Sequence, residues 1–314
     1  MQALRLALAG DHLAHSLLLT GPTGIGKTHL ALELAKALNC VGDDRPDQRC
    51  VHCLQIEHGS HPDVTMIERP EGKDAIRIEQ VRELRDSASM RPFQGRTRVY
   101  ILSGAEALTL QAADALLKTL EEPQPQVALI LTATDAGALP ATVVSRCRVL
   151  PLQPPGRDSV VRALVEAGRE REAAERVARL AQGNVGWALR AIADPKLVAQ
   201  QEEMIGRLAQ VFDLGLDARL TLAESLTAGK RDRSAVRRVM EILALLGRDL
   251  LFLAQGLPAQ LVGGEQGEML ERQARRLSVS QIHAYLQGLR LAMERIDSNV
   301  DPRLTLEALL VDVP

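Results

Sequence analysis

Aromatic side chains are almost missing from this chain: three Phe, two Tyr and one Trp among 314 residues. Its core must therefore be built from Leu, Ala, Val and Ile, and Leu/Ala-rich periodic sequence favours helix over strand. No stretch of about 18 uncharged apolar residues occurs, which argues against a membrane span. The formal net charge is only −2, so no molecule-wide field attracts nucleic acid, and a basic patch would have to be local. Cysteine is scarce too. Of the four, three crowd into positions 40–53, a grouping that suits metal ligands in a reducing compartment better than a disulfide framework. The opening MQALRLALAGDHLAHS has neither a basic start nor a small-residue cleavage site, so it does not read as a signal peptide, and a cytoplasmic location is expected. Internal repeats of 20–50 residues and low-complexity tracts are absent.

What is there is ordinary in bulk: 46% hydrophobic and 25% charged residues, the profile of a soluble globular protein. The length allows two or three domains. Up to about residue 152 strand and helix patterns alternate, the mark of a parallel α/β sheet. Strands are expected at 16–20, 63–68, 98–103, 127–134 and 148–152. Helices are expected at 28–39, 78–90 and 109–122, the last stopped by Pro123, with a helical turn at 141–147. The Pro-rich PLQPPG at 151–156 reads as a linker. Every later periodic segment is helical, in groups near 157–193 and 196–312. Within the second group, 231–255 has a basic first turn and a broad apolar face, the pattern of a long core helix.

GPTGIGKT at 21–28 satisfies G-x-x-x-x-G-K-[ST] in full. Gly21, Gly24 and Gly26 let the backbone turn tightly so that N–H groups, with Thr23 between them, can face phosphate oxygens at a helix start. Lys27 would reach the outer phosphates of ATP and Thr28 would offer its hydroxyl to Mg²⁺. Apolar strand before and helix after make the context that separates this loop from a chance match. Hydrolysis also needs an acid at the end of a neighbouring strand, to hold Mg²⁺ and orient water. Here RVYILSGAEAL at 98–108 ends that strand in Ser103-Gly104. Glu106 is the nearest acid, either a displaced catalytic group or a solvated charge near a helix start. Intrinsic hydrolysis is expected to be weak or absent.

CVGDDRPDQRCVHC at 40–53 carries Cys40, Cys50 and Cys53. A C-x-x-C pair is half of a tetrahedral zinc site. His58 is a candidate fourth ligand, with His52 and His61 behind it; the alternative is a set of free thiols. A zinc ion here would be structural.

ADALLKTLEEP at 113–123, LPATVVSRCRVLPLQPP at 139–155 and GSHPDV at 59–64, behind the phosphate loop, closely resemble the AAA+ subunits of the bacterial DNA polymerase III clamp loader. The resemblance is strong over about 1–190. It implies an α/β P-loop AAA+ domain at 1–152, with a five-stranded parallel sheet, helices on both faces and a Cys/His insertion at 40–61. A small helical lid at 153–194 and an all-α collar at 195–314 would follow. It implies gamma/tau and delta subunits, the sliding clamp and primer-template DNA as partners, and no membrane. Gamma/tau chains carry Asp-Glu where Ser103-Gly104 stands, and a nucleotide-sensing arginine in the lid where this chain has Gly186; Arg190 lies one helical turn further on. Loss of both devices is the pattern of the non-hydrolysing delta prime branch, though many of its members have an eroded phosphate loop and this one keeps it.

The same resemblance makes Arg146, in Ser-Arg-Cys, an arginine finger that completes a neighbouring subunit's ATP site; residue type alone would equally allow a structural salt bridge. Ser145 and Cys147 would serve local capping and packing. Thr134 matches the family's polar sensor, and Ile56 occupies the family's usual fourth cysteine position. Two other readings remain: a self-sufficient P-loop ATPase, and a scaffold in which neither nucleotide nor Arg146 matters.

Overall fold

A computed structural model describes residues 14–314 apart from 71, 123, 228–232, 258–260, 263–265 and 299. Pro123, the first thirteen residues and the start of the 231–255 segment thus lie outside the described residues. The chain divides into two compact units, one of residues 1–156 with 183–187 and one of 157–182 with 188–314. The segment expected as a lid falls mostly in the second of these.

In the first unit five parallel strands form one sheet: β1 Ser16–Thr20, β2 Val64–Ile67, β3 Arg98–Leu102, β4 Val127–Ala133 and β5 Arg148–Pro151, in the order β2-β3-β4-β1-β5. The period of two along each strand decides what covers each face. Leu17, Leu19, Val99, Ile101 and Ile130 point to one side, where they pack with Ala31, Leu34 and Ala35 of helix α1 (Lys27–Asn39) and Ile56 of α2 (Val51–Glu57). Leu18, Tyr100, Leu102, Leu129 and Leu131 point to the other, against Val81 and Leu84 of α3 (Ile78–Ala88) and Leu116 and Leu120 of α4 (Leu110–Glu121). Burial on both faces is why β4 reads as an unbroken apolar run. Helices on both faces of a five-stranded parallel sheet are what the sequence predicts.

A short helix, α5 (Ala141–Val144), precedes β5. The second unit is helical throughout its described residues. Its longest helix, Arg233–Ala254, buries Val236, Met240, Leu243, Leu246 and Leu250, as its apolar face predicts. No described helix is long and apolar enough to cross a membrane.

One buried charge organises the start of the sheet. Asp63 is fully buried just before β2, where an unpaired carboxylate would be costly. Its oxygens accept the backbone N–H groups of Phe93 (2.6 Å), Gln94 (2.9 Å) and Gly95 (2.8 Å), and Nη2 of Arg98 at 3.2 Å. Burial alone would raise this carboxyl, but the N–H groups of Gln94, Phe93 and Gly95 together with Arg98 outweigh it and hold it below the ordinary aspartate value. Asp63→Ala is therefore expected to destabilise the chain by about 3–5 kcal/mol in urea denaturation, since it strands Arg98 and three N–H groups. A depressed folded-state value also fixes the sign with pH. The Asp63 contribution is complete above about pH 4, the unfolded value, and is lost as pH falls through the folded one.

Candidate functional site

The phosphate loop leaves β1 at the carboxyl edge of the sheet. Gly21 N donates to the carbonyls of Ala133 (3.2 Å) and Thr134 (3.1 Å), and a Cβ on Gly21 would lie 2.4 Å from the Leu152 carbonyl oxygen. Backbone cannot yield there, so glycine is required. Thr23 is exposed on the loop and Gly26 is the N-cap of α1. Lys27 Nζ donates to the carbonyls of Gly21 (2.6 Å) and Pro22 (2.8 Å). Burial lowers the pKa of this ammonium, and the charge of the exposed Glu106 works against that shift.

Where the Mg²⁺ acid belongs, Ser103 Oγ lies 3.2 Å from Thr28 Oγ1. Two neutral hydroxyls satisfy each other in the place of a hydroxyl and a carboxylate. Gly104 N donates to the buried Thr132 Oγ1 at 3.0 Å. Thr134, the expected sensor, is exposed one residue past β4 and touches the loop through its carbonyl. Gly186, at the lid arginine position, donates its N–H to the Gly24 carbonyl at 2.9 Å. Beside it Asn184 Oδ1 accepts from Trp187 N at 2.8 Å. That side chain lies against Gly24, whose φ is +81° and whose added Cβ would fall 2.1 Å from Asn184 Oδ1.

Arg146 sits at the opposite edge. It follows α5 and precedes β5, whose Arg148 is level with Leu17 in the register. Four residues, about 13 Å of strand, separate that level from Gly21. The guanidinium is held by Glu121, which accepts from Nε at 2.8 Å and also from Nη2; Nη1 donates to the Thr142 carbonyl at 2.9 Å and contacts Ser145 Oγ at 3.3 Å. Glu121 belongs to the LLKTLEEP segment, so two sequence signatures meet in one ion pair. Ser145 donates to the Thr142 carbonyl, and Cys147 packs on the core with its thiol pushed up to about 11 by burial.

The three cysteines converge as expected, but their fourth neighbour differs. Sγ of Cys40, Cys50 and Cys53 and a carboxylate oxygen of Asp47 all lie within 4.8 Å of one another. Cys40 and Cys50 sulfurs are 3.8 Å apart, about the separation set by two Zn–S bonds of 2.3 Å at a tetrahedral angle. Cys40 Sγ accepts N–H groups of Gly42 and Asp47, each at 3.4 Å. Asp47 is held by the N–H groups of Cys50 and Arg49, which keep its carboxyl below the ordinary value. Burial pushes the Cys53 thiol up to about 12. His58, the expected fourth ligand, lies outside this group: it is exposed just past α2 with Nδ1 2.7 Å from the Leu54 carbonyl. His52 and His61 pair with each other instead, Nδ1 to Nε2 at 2.9 Å. Asp47 was missed because it sits in an acidic loop, yet its spacing, D-x-x-C-x-x-C, repeats that of the cysteine pair.

The family model described as DNA polymerase III, delta subunit matches residues 1–156, and that described as DNA polymerase III, delta subunit, C terminal matches 207–313. The chain belongs to the DNA polymerase III delta-subunit family. The delta' subunit of Bacillus subtilis is 26% identical over 312 residues, which cover 99% of this chain and 94% of the relative. The delta' subunit of Haemophilus influenzae is 37% identical over 145 residues, covering 46% and 44%. The tau subunit of Escherichia coli is 28% identical; the match covers 99% of this chain but only 51% of tau. Among solved structures, a gamma subunit-related protein of Thermotoga maritima aligns over 99% of this chain and 97% of its own, at 18% identity and a TM-score of 0.42.

In this family member the contact between Gly24 and Asn184 is open to a direct test. Gly24→Ala adds left-handed strain of about 1–2 kcal/mol and displaces the Asn184 cap, worth about 1 kcal/mol. Thermal unfolding of Gly24→Ala, Asn184→Ala and the double variant should therefore be non-additive, the double variant costing less than the sum of the singles.

Proposed function

We propose that this chain is a delta prime-type subunit of the DNA polymerase III clamp loader, acting with gamma/tau and delta subunits to load the sliding clamp onto primed DNA, and that it does not itself turn ATP over. The Thr28–Ser103 hydroxyl pair carries this reading. ATP would be held by Gly21, Thr23, Gly24, Gly26, Lys27 and Thr28, with Mg²⁺ supplying charge neutralisation of the phosphates. No carboxylate stands at Ser103-Gly104 to anchor that ion or orient water. For its own site, the absent acid removes on the order of a hundredfold or more in rate. Arg146 serves in trans: the strand it leads into begins level with Leu17, about 13 Å of strand from Gly21, and its planar fork suits phosphate oxygens. Glu121 and the Thr142 carbonyl hold it until a neighbour's phosphate competes for it. Residues 153–194 act as the lid and 195–314 as the collar.

Steady-state ATP hydrolysis tests this. The purified chain should show no turnover above background. Mixed with gamma/tau, delta, clamp and primed DNA, the complex should hydrolyse ATP, and Arg146→Ala should lower that activity, the served site losing about 10³-fold or more. Turnover by the isolated chain that disappears on Lys27→Ala would instead identify an ATPase in its own right, with Glu106 as its acid. Unchanged activity on Arg146→Ala would reduce the chain to a scaffold.

The cysteine group supports a structural zinc site formed by Cys40, Cys50, Cys53 and Asp47. One equivalent of zinc per chain is expected by elemental analysis. Cys50→Ser should abolish it, Asp47→Ala should weaken binding, and His58→Ala should leave the stoichiometry unchanged. A chain purified without zinc, and unaltered in thermal stability by added zinc, would mean free thiols.

A further inference from the structure

We propose that the turn at residues 90–96 is a contact for single-stranded nucleic acid, in which Phe93 stacks on one unpaired base and Arg91 and Arg96 take the flanking phosphates. Phe93 is 81% exposed, more than any other large apolar residue described. In a chain with six aromatics, the other two phenylalanines are 5% and 37% exposed. The exposure of Phe93 is imposed by its backbone. Asp63 fixes the N–H groups of Phe93, Gln94 and Gly95, Pro92 restricts the preceding φ, and Gln94 Nε2 donates to Gln55 Oε1 at 2.6 Å. The ring is thereby presented on a rigid turn, and little conformational freedom is left to lose when something stacks on it.

Charge selects the occupant. No acidic residue occurs from Ser87 to Ala105, a stretch that contains Arg91, Arg96 and Arg98. Arg98 is committed to Asp63 and to the Ser87 carbonyl. Arg91 and Arg96 are both exposed, and neither forms an ion pair or a side-chain hydrogen bond among the described residues. An exposed ring flanked in sequence by two uncommitted arginines, two residues before it and three after, offers the elements a single strand needs, a face for a base and cations for its phosphates. A protein partner would favour an apolar surround that excludes water; Met90 is an exposed apolar neighbour in the same turn, but Arg91, Gln94, Gly95 and Arg96 make the rest of it polar or cationic. Duplex bases offer no free face, so the ligand is an unpaired strand. This deepens the proposed clamp-loader role, because primed DNA carries an unpaired template, but the contact needs neither assembly nor hydrolysis.

The test is fluorescence anisotropy of the full chain with a labelled oligothymidylate of about 15 nucleotides and with an abasic strand of the same length. The wild-type chain should prefer the base-bearing strand. Phe93→Ala should weaken that binding about tenfold and erase the preference. Phe93→Trp should restore it, with strand-dependent quenching beyond that of Trp187. Arg91→Ala and Arg96→Ala should weaken both strands and each reduce the salt slope by about 0.7. Equal affinity for the abasic strand, no binding up to about 100 μM chain, or an unaffected Phe93→Ala variant would overturn the proposal. So would a Phe93→Ala variant that keeps DNA affinity but binds gamma/tau or delta subunits less well, which would assign the turn to a protein. None of these results bears on Arg146, so the clamp-loader reading stands or falls separately.

Discussion

Parallel pairing is the constraint from which the functional geometry follows. Because all five strands run the same way, Gly21, Ser103 and Thr134 leave the sheet at one edge. The residues that lead into β5 are delivered to the other. The distance between phosphate loop and Arg146 is therefore a property of the sheet, and no rotamer of an arginine side chain spans it. The phosphate loop and the residues leading into β5 therefore lie at opposite ends of the strands. If Arg146 meets a phosphoryl group, it is another chain's.

At the receiving edge, the exchange of a carboxylate for a hydroxyl has effects beyond the missing Mg²⁺ ligand. Ser103 and Thr28 are neutral and need no counter-ion. Lys27 donates to the carbonyls of Gly21 and Pro22, and Glu106 acts on it only through space. At Gly186 a backbone N–H meets the Gly24 carbonyl, with no side chain to carry a charge to the loop. The loop thus has neutral groups at Ser103 and Gly186, with Lys27 the cation inside it.

How much of this was legible in the sequence follows from how local each signal is. Strands and covering helices were readable because alternation along a strand and the 3.6-residue stripe of a helix are written in adjacent residues. The loop was readable because its glycines and Lys27 act within eight positions. The place of Asp47 beside the thiols was not, because it depends on how an irregular loop folds back, and His58 satisfied spacing rules equally well. His58 lies against the Leu54 carbonyl one turn behind it, outside the group formed by Cys40, Asp47, Cys50 and Cys53. Thr134 was placed on the strand, but β4 ends at Ala133 and the threonine that faces inward is Thr132. The family match points two residues further along, past the last strand residue, Ala133, where alternation no longer orients a side chain.

Asp63 links the parts that local reading left separate. In the sequence it is the last letter of a family signature, Ser-His-Pro-Asp. In the fold its carboxylate ties the start of β2 to the turn at 93–95 and to Arg98 at the start of β3, while its own N–H donates to His61 Nδ1 at 3.1 Å. His61 in turn meets His52 on the cysteine-bearing helix. A buried carboxylate is tolerable only when donors surround it, so the backbone between Pro92 and Arg96 must come to Asp63. That requirement leaves the Phe93 side chain facing solvent. Exposure of the ring is thus a consequence of satisfying a buried charge, and the cationic residues on either side give that consequence a use.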